Sequence, residues 1–187
     1  MSHTSKNRGL FLDRDGVINH EIGYLYQPDD VVFVDGIFSL CRTAQALGYR
    51  LMIVTNQAGI ARGLYTEADY QQLMLWMSDQ FGREGVRLDA VYHCPYHPVH
   101  GVGDYKREHE DRKPGTGMLR RGAREFDLDL AESVLIGDRC SDVAAANSAG
   151  LRQAFLLAGT EPPGACTGSF LKIAGLHEAE RWLIERG

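Results

Sequence analysis

The sequence predicts an α/β fold built on a doubly wound parallel sheet, and three observations carry that prediction. Short apolar runs that read as buried strands alternate along the chain with segments of helical periodicity. Three of those runs stop at chemically loaded residues, Asp13/Asp15, Thr55 and Asp138, and a doubly wound sheet gathers such strand ends on one edge. The length, 187 residues, suits one compact domain with a sizeable core.

In chain order, Gly9–Leu12 reads as the first buried strand, running into Asp13–Arg14–Asp15–Gly16. Residues 16–34 are loop-like, with Tyr24 and Tyr26 and a turn at Gln27–Pro28–Asp29–Asp30. Residues 36–48 read as a helix whose apolar face is Ile37, Leu40, Cys41, Ala44 and Leu47, stopped by Gly48. Arg50–Val54 is a second strand ending at Thr55–Asn56–Gln57. Thr66 caps a helix running to about Phe81, with Tyr70, Leu73, Met74 and Met77 inward. A third strand is expected over 88–92. An irregular segment, 93–112, follows and holds His93, Cys94, His97, His100 and His109; its length alone suggests function or a metal staple. Lys113–Pro114–Gly115 breaks the chain before a helix to about Phe126. Residues 133–136 form a fourth strand, Asp142 starts an Ala-rich helix ending at Gly150, 151–157 is a fifth strand, and 177–186 a closing helix.

Composition narrows the function. A net charge of −5 and a pI near 5.8 offer no basic stripe for nucleic acid or an anionic membrane. No run is long enough to cross a bilayer, and the polar start, residues 1–8, has no apolar stretch of a signal peptide. Cys41, Cys94, Cys140 and Cys166 lie far apart with no CxxC pair, so disulfides are not expected and the protein is placed in the reducing cytoplasm. A monomer is expected, since no predicted surface looks built for assembly.

The aspartates at i and i+2 after the first strand would point the same way on an extended backbone. So close together they repel, and a hard divalent cation such as Mg²⁺ relieves that repulsion and draws phosphate. The same residues also suit an ordinary Asp/Gly turn. Thr55, Asp138 and Lys113, expected on the same edge, add weight to a site.

Asp13–Arg14–Asp15–Gly16, Thr55–Asn56–Gln57, Lys113–Pro114 and Gly137–Asp138–Arg139–Cys140–Ser141–Asp142 resemble, in order, the four motifs of the haloacid dehalogenase superfamily of phosphotransferases. The run Val54–Gly63 is similar to a narrower branch that holds heptose bisphosphate phosphatases and histidinol-phosphate phosphatases. The resemblance implies a Rossmann-like fold and a phosphatase using Mg²⁺. Asp13 would be the nucleophile that forms an aspartyl-phosphate, Asp15 the general acid and base, and Thr55 and Lys113 the groups that stabilise the transferring phosphoryl. Asp13, Asp138 and the backbone carbonyl of Asp15 would hold the metal, with Asp142 capping its helix or sitting behind the ion. The second aspartate supplies the proton that a poor alkoxide leaving group needs, which favours phosphoester hydrolysis.

Only about 40 residues separate Asp15 from Thr55, too few for the separate cap domain seen in many members of the superfamily, so a capless, open site is expected. Specificity then falls to loops. The resemblance implies substrate binding by Glu21, Ile22, Gly23, Tyr24, Asn56, Gln57 and Arg112, with the Arg112 guanidinium suited to a second phosphate or sugar oxygens. It implies the 7-phosphate of a heptose bisphosphate as the target, in synthesis of the ADP-heptose precursor of the lipopolysaccharide core; histidinol phosphate is the alternative. Members of the branch often carry zinc before the Arg-Lys-Pro. Here Cys94 is present, but Tyr96, His109 and Asp111 stand at the other ligand positions. Zinc could still recruit Cys94, His97 or His100, and His109, yet the loop lacks the full cysteine set and zinc is not counted as a site.

Overall fold

A computed structural model describes residues 7–159, 162 and 165–186; most of the polar start lies outside the described residues. Six parallel strands form one sheet: β1 (Arg8–Leu12), β2 (Tyr49–Asn56), β3 (Ala90–Cys94), β4 (Val134–Gly137), β5 (Gln153–Leu157) and β6 (Leu171–Ile173). Their spatial order is β3-β2-β1-β4-β5-β6. β1 therefore lies between β2 and β4, where the winding reverses and a crevice opens at the carboxyl ends of the strands.

Side chains of β1 alternate between two cores. Leu10 and Leu12, with Leu51 and Ile53 of β2, pack against α1 (Ile37–Ala46), α3 (Glu67–Arg83) and α6 (Leu176–Arg186). Phe11, Met52 and Val54 face the opposite layer, against Met118 and Leu119 of α4 (Gly117–Glu125) and Ala145 and Ala146 of α5 (Cys140–Ala149). Fully buried side chains such as Phe11 and Leu51 contribute about 1.5–3 kcal/mol each, so this double burial anchors the central strand. The chain between β1 and β2 holds one short 3-10 turn and α1, and between β2 and β3 only α2 (Ala58–Ala61) and α3, so neither insertion forms a cap.

The elements follow the sequence closely, and the departures have local causes. Thr66 caps α3 through a reciprocal box with Asp69, and Gly150 ends α5 in the left-handed region. β3 starts at Ala90 rather than residue 88, because Asp89 spends its carboxylate on the Leu51 amide, and it runs on through His93 and Cys94, which pair with Thr55 and Asn56. α5 begins at Cys140 rather than Asp142: Asp142 is the third residue of the helix, and its carboxylate reaches back to the Arg139 amide. β6 was not expected; only Ile173 of its three residues is buried, so no apolar run marks it. α2 is one turn long and shows no period.

The expectation of four free thiols fails. Cys140 and Cys166 form a disulfide, their Cα atoms 4.9 Å apart despite a separation of 26 residues. The pairing arises because the chain after β5 returns to the start of α5, a proximity that cysteine spacing does not encode. Cys41 and Cys94 are buried free thiols. No helix among the described residues is long and apolar enough to cross a membrane.

Candidate active site

Asp13 extends β1 by one residue, its amide bonded to the carbonyl of Ile136 at 3.0 Å, which seats its carboxylate at the crevice between β2 and β4. Asp13 Oδ1 lies 2.9 Å from Lys113 Nζ and accepts the Arg14 amide at 2.8 Å. The Lys113 ammonium also meets Asp142 Oδ1 at 2.5 Å and the Val54 carbonyl at 2.8 Å, which hold it at the crevice beside Asp13. Burial works against that charge, but the carboxylates of Asp13 and Asp142 outweigh it and hold Lys113 above the usual lysine range.

Lys113, in the turn before α4, is placed by a residue of β2. Asn56, at the end of β2, donates to the Lys113 carbonyl and accepts the Lys113 amide, each at 3.0 Å. Asn56, expected to read substrate, thus lines the cavity while also clamping the lysine's backbone.

Asp13, Asp138 and Asp142 form the one group among the described residues with oxygens close enough for a shared metal ion, all within 4.8 Å of one another. Burial lifts Asp13 to about 7 in the metal-free site; Lys113 pulls the other way, and the charges of Asp142, Asp138 and Asp15 add to the rise. The sequence needs Gly16 here: its φ is +86°, and a Cβ would lie 2.3 Å from Asp138 Oδ2. A hard divalent cation fits this donor set, being all oxygen and short of positive charge.

Asp15 lies on the other side of the turn. Its carboxylate accepts two bonds from the fully buried Arg14 (3.0 and 2.8 Å), one from Asn19 (3.1 Å) and one from Gln57 (3.1 Å). Arg14 is itself fixed by the Leu25 carbonyl at 3.0 Å and by the Tyr70 ring. Thr55, almost fully buried at the end of β2, completes the group.

Asp13, Asp15, Thr55, Asn56, Gln57 and Lys113 line a cavity of about 690 Å³. Glu21, Gly23 and Tyr24 form part of its rim: Glu21 accepts the Gly23 amide at 2.7 Å and pairs with Arg139 at 3.2 Å. Arg112 lines it too, steadied by the Tyr96 carbonyl at 3.1 Å. Ile22 is 54% exposed and stands off the lining. Arg62, Tyr65, Arg139 and Ser141 join the wall without having been assigned a role, and so does His97, weighed only as a zinc ligand. Arg139 and Ser141 had a signal, their place directly beside Asp138; Arg62 and His97 sit in segments whose path is set by tertiary packing.

The irregular loop is held by side chains. Tyr96 stacks on His109 (4.6 Å between centroids), Arg107 covers Tyr96 at 4.0 Å, and Asp111 pairs with Arg121. The His97 Nδ1 accepts the Val99 and His100 amides at 3.2 and 3.0 Å. Cys94 lies buried, its thiol raised by burial.

Comparison with known proteins follows the same lines. A HAD-hydrolase-like family profile matches residues 111–172. The chain is 51% identical over 152 residues to a D-glycero-alpha-D-manno-heptose-1,7-bisphosphate 7-phosphatase of Burkholderia mallei, covering 81% of this chain and 80% of that one. It is 44% identical to a D-glycero-beta-D-manno-heptose-1,7-bisphosphate 7-phosphatase of Vibrio cholerae, with 82% of each covered. Among solved structures, the D,D-heptose 1,7-bisphosphate phosphatase of B. bronchiseptica, complexed with magnesium and phosphate, superposes with a TM-score of 0.78 at 27% identity, over 96% of this chain and 99% of that one.

Proposed function

The chain belongs to the HAD-like hydrolases and, within them, to the heptose 1,7-bisphosphate 7-phosphatase family, and from that membership we propose that it removes the 7-phosphate of D-glycero-D-manno-heptose 1,7-bisphosphate. The product would feed the ADP-heptose precursor of the lipopolysaccharide core, through a monomeric enzyme acting on a small sugar phosphate in the cytoplasm; the location rests on that precursor role, because the Cys140–Cys166 bond removes the argument from free thiols. The observation that carries the substrate reading is the surplus of positive charge in the cavity wall. Arg62 and Arg112 have no carboxylate partner within ion-pair distance among the described residues. Burial lowers Arg112, and Arg62 adds to that lowering. A second phosphate answers that surplus; the cationic tail of histidinol phosphate does not.

In the proposed reaction, an Asp13 carboxylate oxygen attacks phosphorus, and the bond from phosphorus to the sugar oxygen breaks. Asp15 gives its proton to that departing oxygen, then takes one from the water that splits the aspartyl-phosphate. The Thr55 hydroxyl and the Lys113 ammonium bind the transferring oxygens as charge builds on them. Asp13, Asp138 and the backbone carbonyl of Asp15 would hold Mg²⁺. When bound, Mg²⁺ supplies the positive charge that the carboxylates lack and polarises the phosphoryl group.

The substrate test is kcat/KM for both anomers of heptose 1,7-bisphosphate beside histidinol phosphate. A preference of roughly 100-fold or more for a bisphosphate is expected, since unanswered cations in the wall penalise the other ligand. Equal or reversed preference would keep the chemistry and overturn the substrate.

Protons should compete with the cation. Because burial places metal-free Asp13 at about 7, Mg²⁺ affinity should fall about tenfold per pH unit below that value. Mg²⁺ titrations followed by melting temperature at about pH 7.5 and about pH 5 measure this. An affinity that does not change between the two would remove Asp13 from the metal site.

A further inference from the structure

Thr55 and Asp15 are joined by one amide. Gln57 Nε2 donates to Thr55 Oγ1 at 2.8 Å and to Asp15 Oδ2 at 3.1 Å, while Gln57 Oε1 accepts the Tyr65 hydroxyl. The polarity of this chain is fixed at both ends. Asp15 already receives N–H bonds from Arg14 and Asn19 and faces Gln57 as an acceptor, and Tyr65, pushed up to about 12 by burial, keeps its proton and donates. A flipped Gln57 would set its oxygen against the Asp15 carboxylate and its NH₂ against a hydroxyl donor. By accepting from Gln57, Thr55 spends one lone pair, and its own O–H is left for an acceptor in the cavity.

Tyr65 is in turn fixed by the fold. It is 6% exposed, and its ring stacks on Tyr26 with 5.4 Å between centroids. It also lies so close over Gly59 that a Cβ there would be 2.1 Å from the ring. Gln57 is anchored independently, its amide bonded to the Cys94 carbonyl at 2.8 Å. One residue that the family resemblance assigns to substrate binding is thus almost fully buried, with every polar atom of its side chain used.

We propose that Tyr65 is a positioning residue: acting through Gln57, it aims the Thr55 hydroxyl at the transferring phosphoryl group and holds the Asp15 carboxylate beside the leaving oxygen. The inference rests on the phosphatase reading above. Its signature is in kcat rather than KM, because groups aimed at charge that develops in the transition state contribute little to ground-state binding.

The test is a double-mutant cycle of Tyr65→Phe, Gln57→Leu and the pair. Each is assayed with heptose 1,7-bisphosphate and with p-nitrophenyl phosphate, which has neither sugar nor second phosphate. If heptose bisphosphate is not turned over, the substrate reading fails while the cycle is still measured on the second compound. Tyr65→Phe should lower kcat about tenfold with KM changed less than about twofold, and Gln57→Leu should lower it by roughly tenfold to 100-fold. The pair should be no slower than Gln57→Leu alone, since Tyr65 has nothing left to act through. Gln57→Glu, which keeps the size and the acceptor for Tyr65 but loses the donor, should be slower than Tyr65→Phe. The proposal is overturned if the two losses multiply in the pair, or if Tyr65→Phe raises KM at unchanged kcat. It also fails if Tyr65→Phe lowers the melting temperature while kcat per folded enzyme is unaltered, or if Gln57→Glu retains full activity.

Discussion

Asp13→Asn is expected to lower kcat by roughly four orders of magnitude or more, the scale seen when a nucleophile that acts as part of a unit is removed, while the metal-free protein becomes more stable at neutral pH. The loss of rate follows from position. The Asp13 carboxylate sits at the end of β1 with Lys113 Nζ 2.9 Å away, and no other carboxylate in the turn extends the strand into the crevice in that way. An amide of the same shape has no oxygen able to form the acyl phosphate. The gain in stability follows from charge. Burial raises Asp13 from 3.8 to about 7 in the folded, metal-free site. Between those values the unfolded chain ionises this group and the folded chain does not, so its cost is absent at about pH 4 and complete above about pH 7. Asparagine removes that cost. In a chelator, the melting temperature of Asp13→Asn should match the parent at about pH 4 and exceed it at about pH 8. Turnover within tenfold of the parent, or a variant less stable at the higher pH, would contradict the assignment.

That one substitution can harm function and help folding explains which parts of this molecule the sequence reveals. Strands and helices could be read because Leu10–Leu12, Leu51–Val54 and the inward face of α3 answer to burial alone. β6 could not, because an edge strand with one buried residue carries no pattern. The carboxylates proposed to act in catalysis were legible as a candidate site because they break the pattern at strand ends, where local propensity and packing offer no reason for them. The roles of Asn56 and Gln57 were not. Both follow Thr55 and line the cavity as residues offered to a ligand would, and in addition one clamps the Lys113 backbone and the other bridges Asp15 to Thr55. Such assignments depend on residues 57 positions away or on a tyrosine fixed by packing, and no spacing rule reports them. The Cys140–Cys166 bond is hidden for the same reason.

Lys113→Met should reverse the stability result of Asp13→Asn while sharing its loss of rate. Lys113 touches both Asp13 and Asp142, and with Asp138 beside them the site holds three buried carboxylates facing one ammonium. Removing the ammonium leaves Asp13 and Asp142 without their shared ion pair, and breaking a buried pair from one side costs about 3–5 kcal/mol. Lys113 is what holds Asp13 down, so its loss raises Asp13 further, and the deficit should grow as pH rises from about 5 to about 8 and shrink in acid, where a proton takes the lysine's place. Mg²⁺ should recover part of the melting temperature, because a divalent cation answers the same charge. It should not recover the rate: turnover is expected to stay about 10³-fold below the parent, because the transferring oxygens lose a donor aimed at them. Mg²⁺ would thus separate two roles that one residue combines. If stability and rate return together, Lys113 serves only to neutralise the carboxylates; if only stability returns, its position against the phosphoryl group is what catalysis needs.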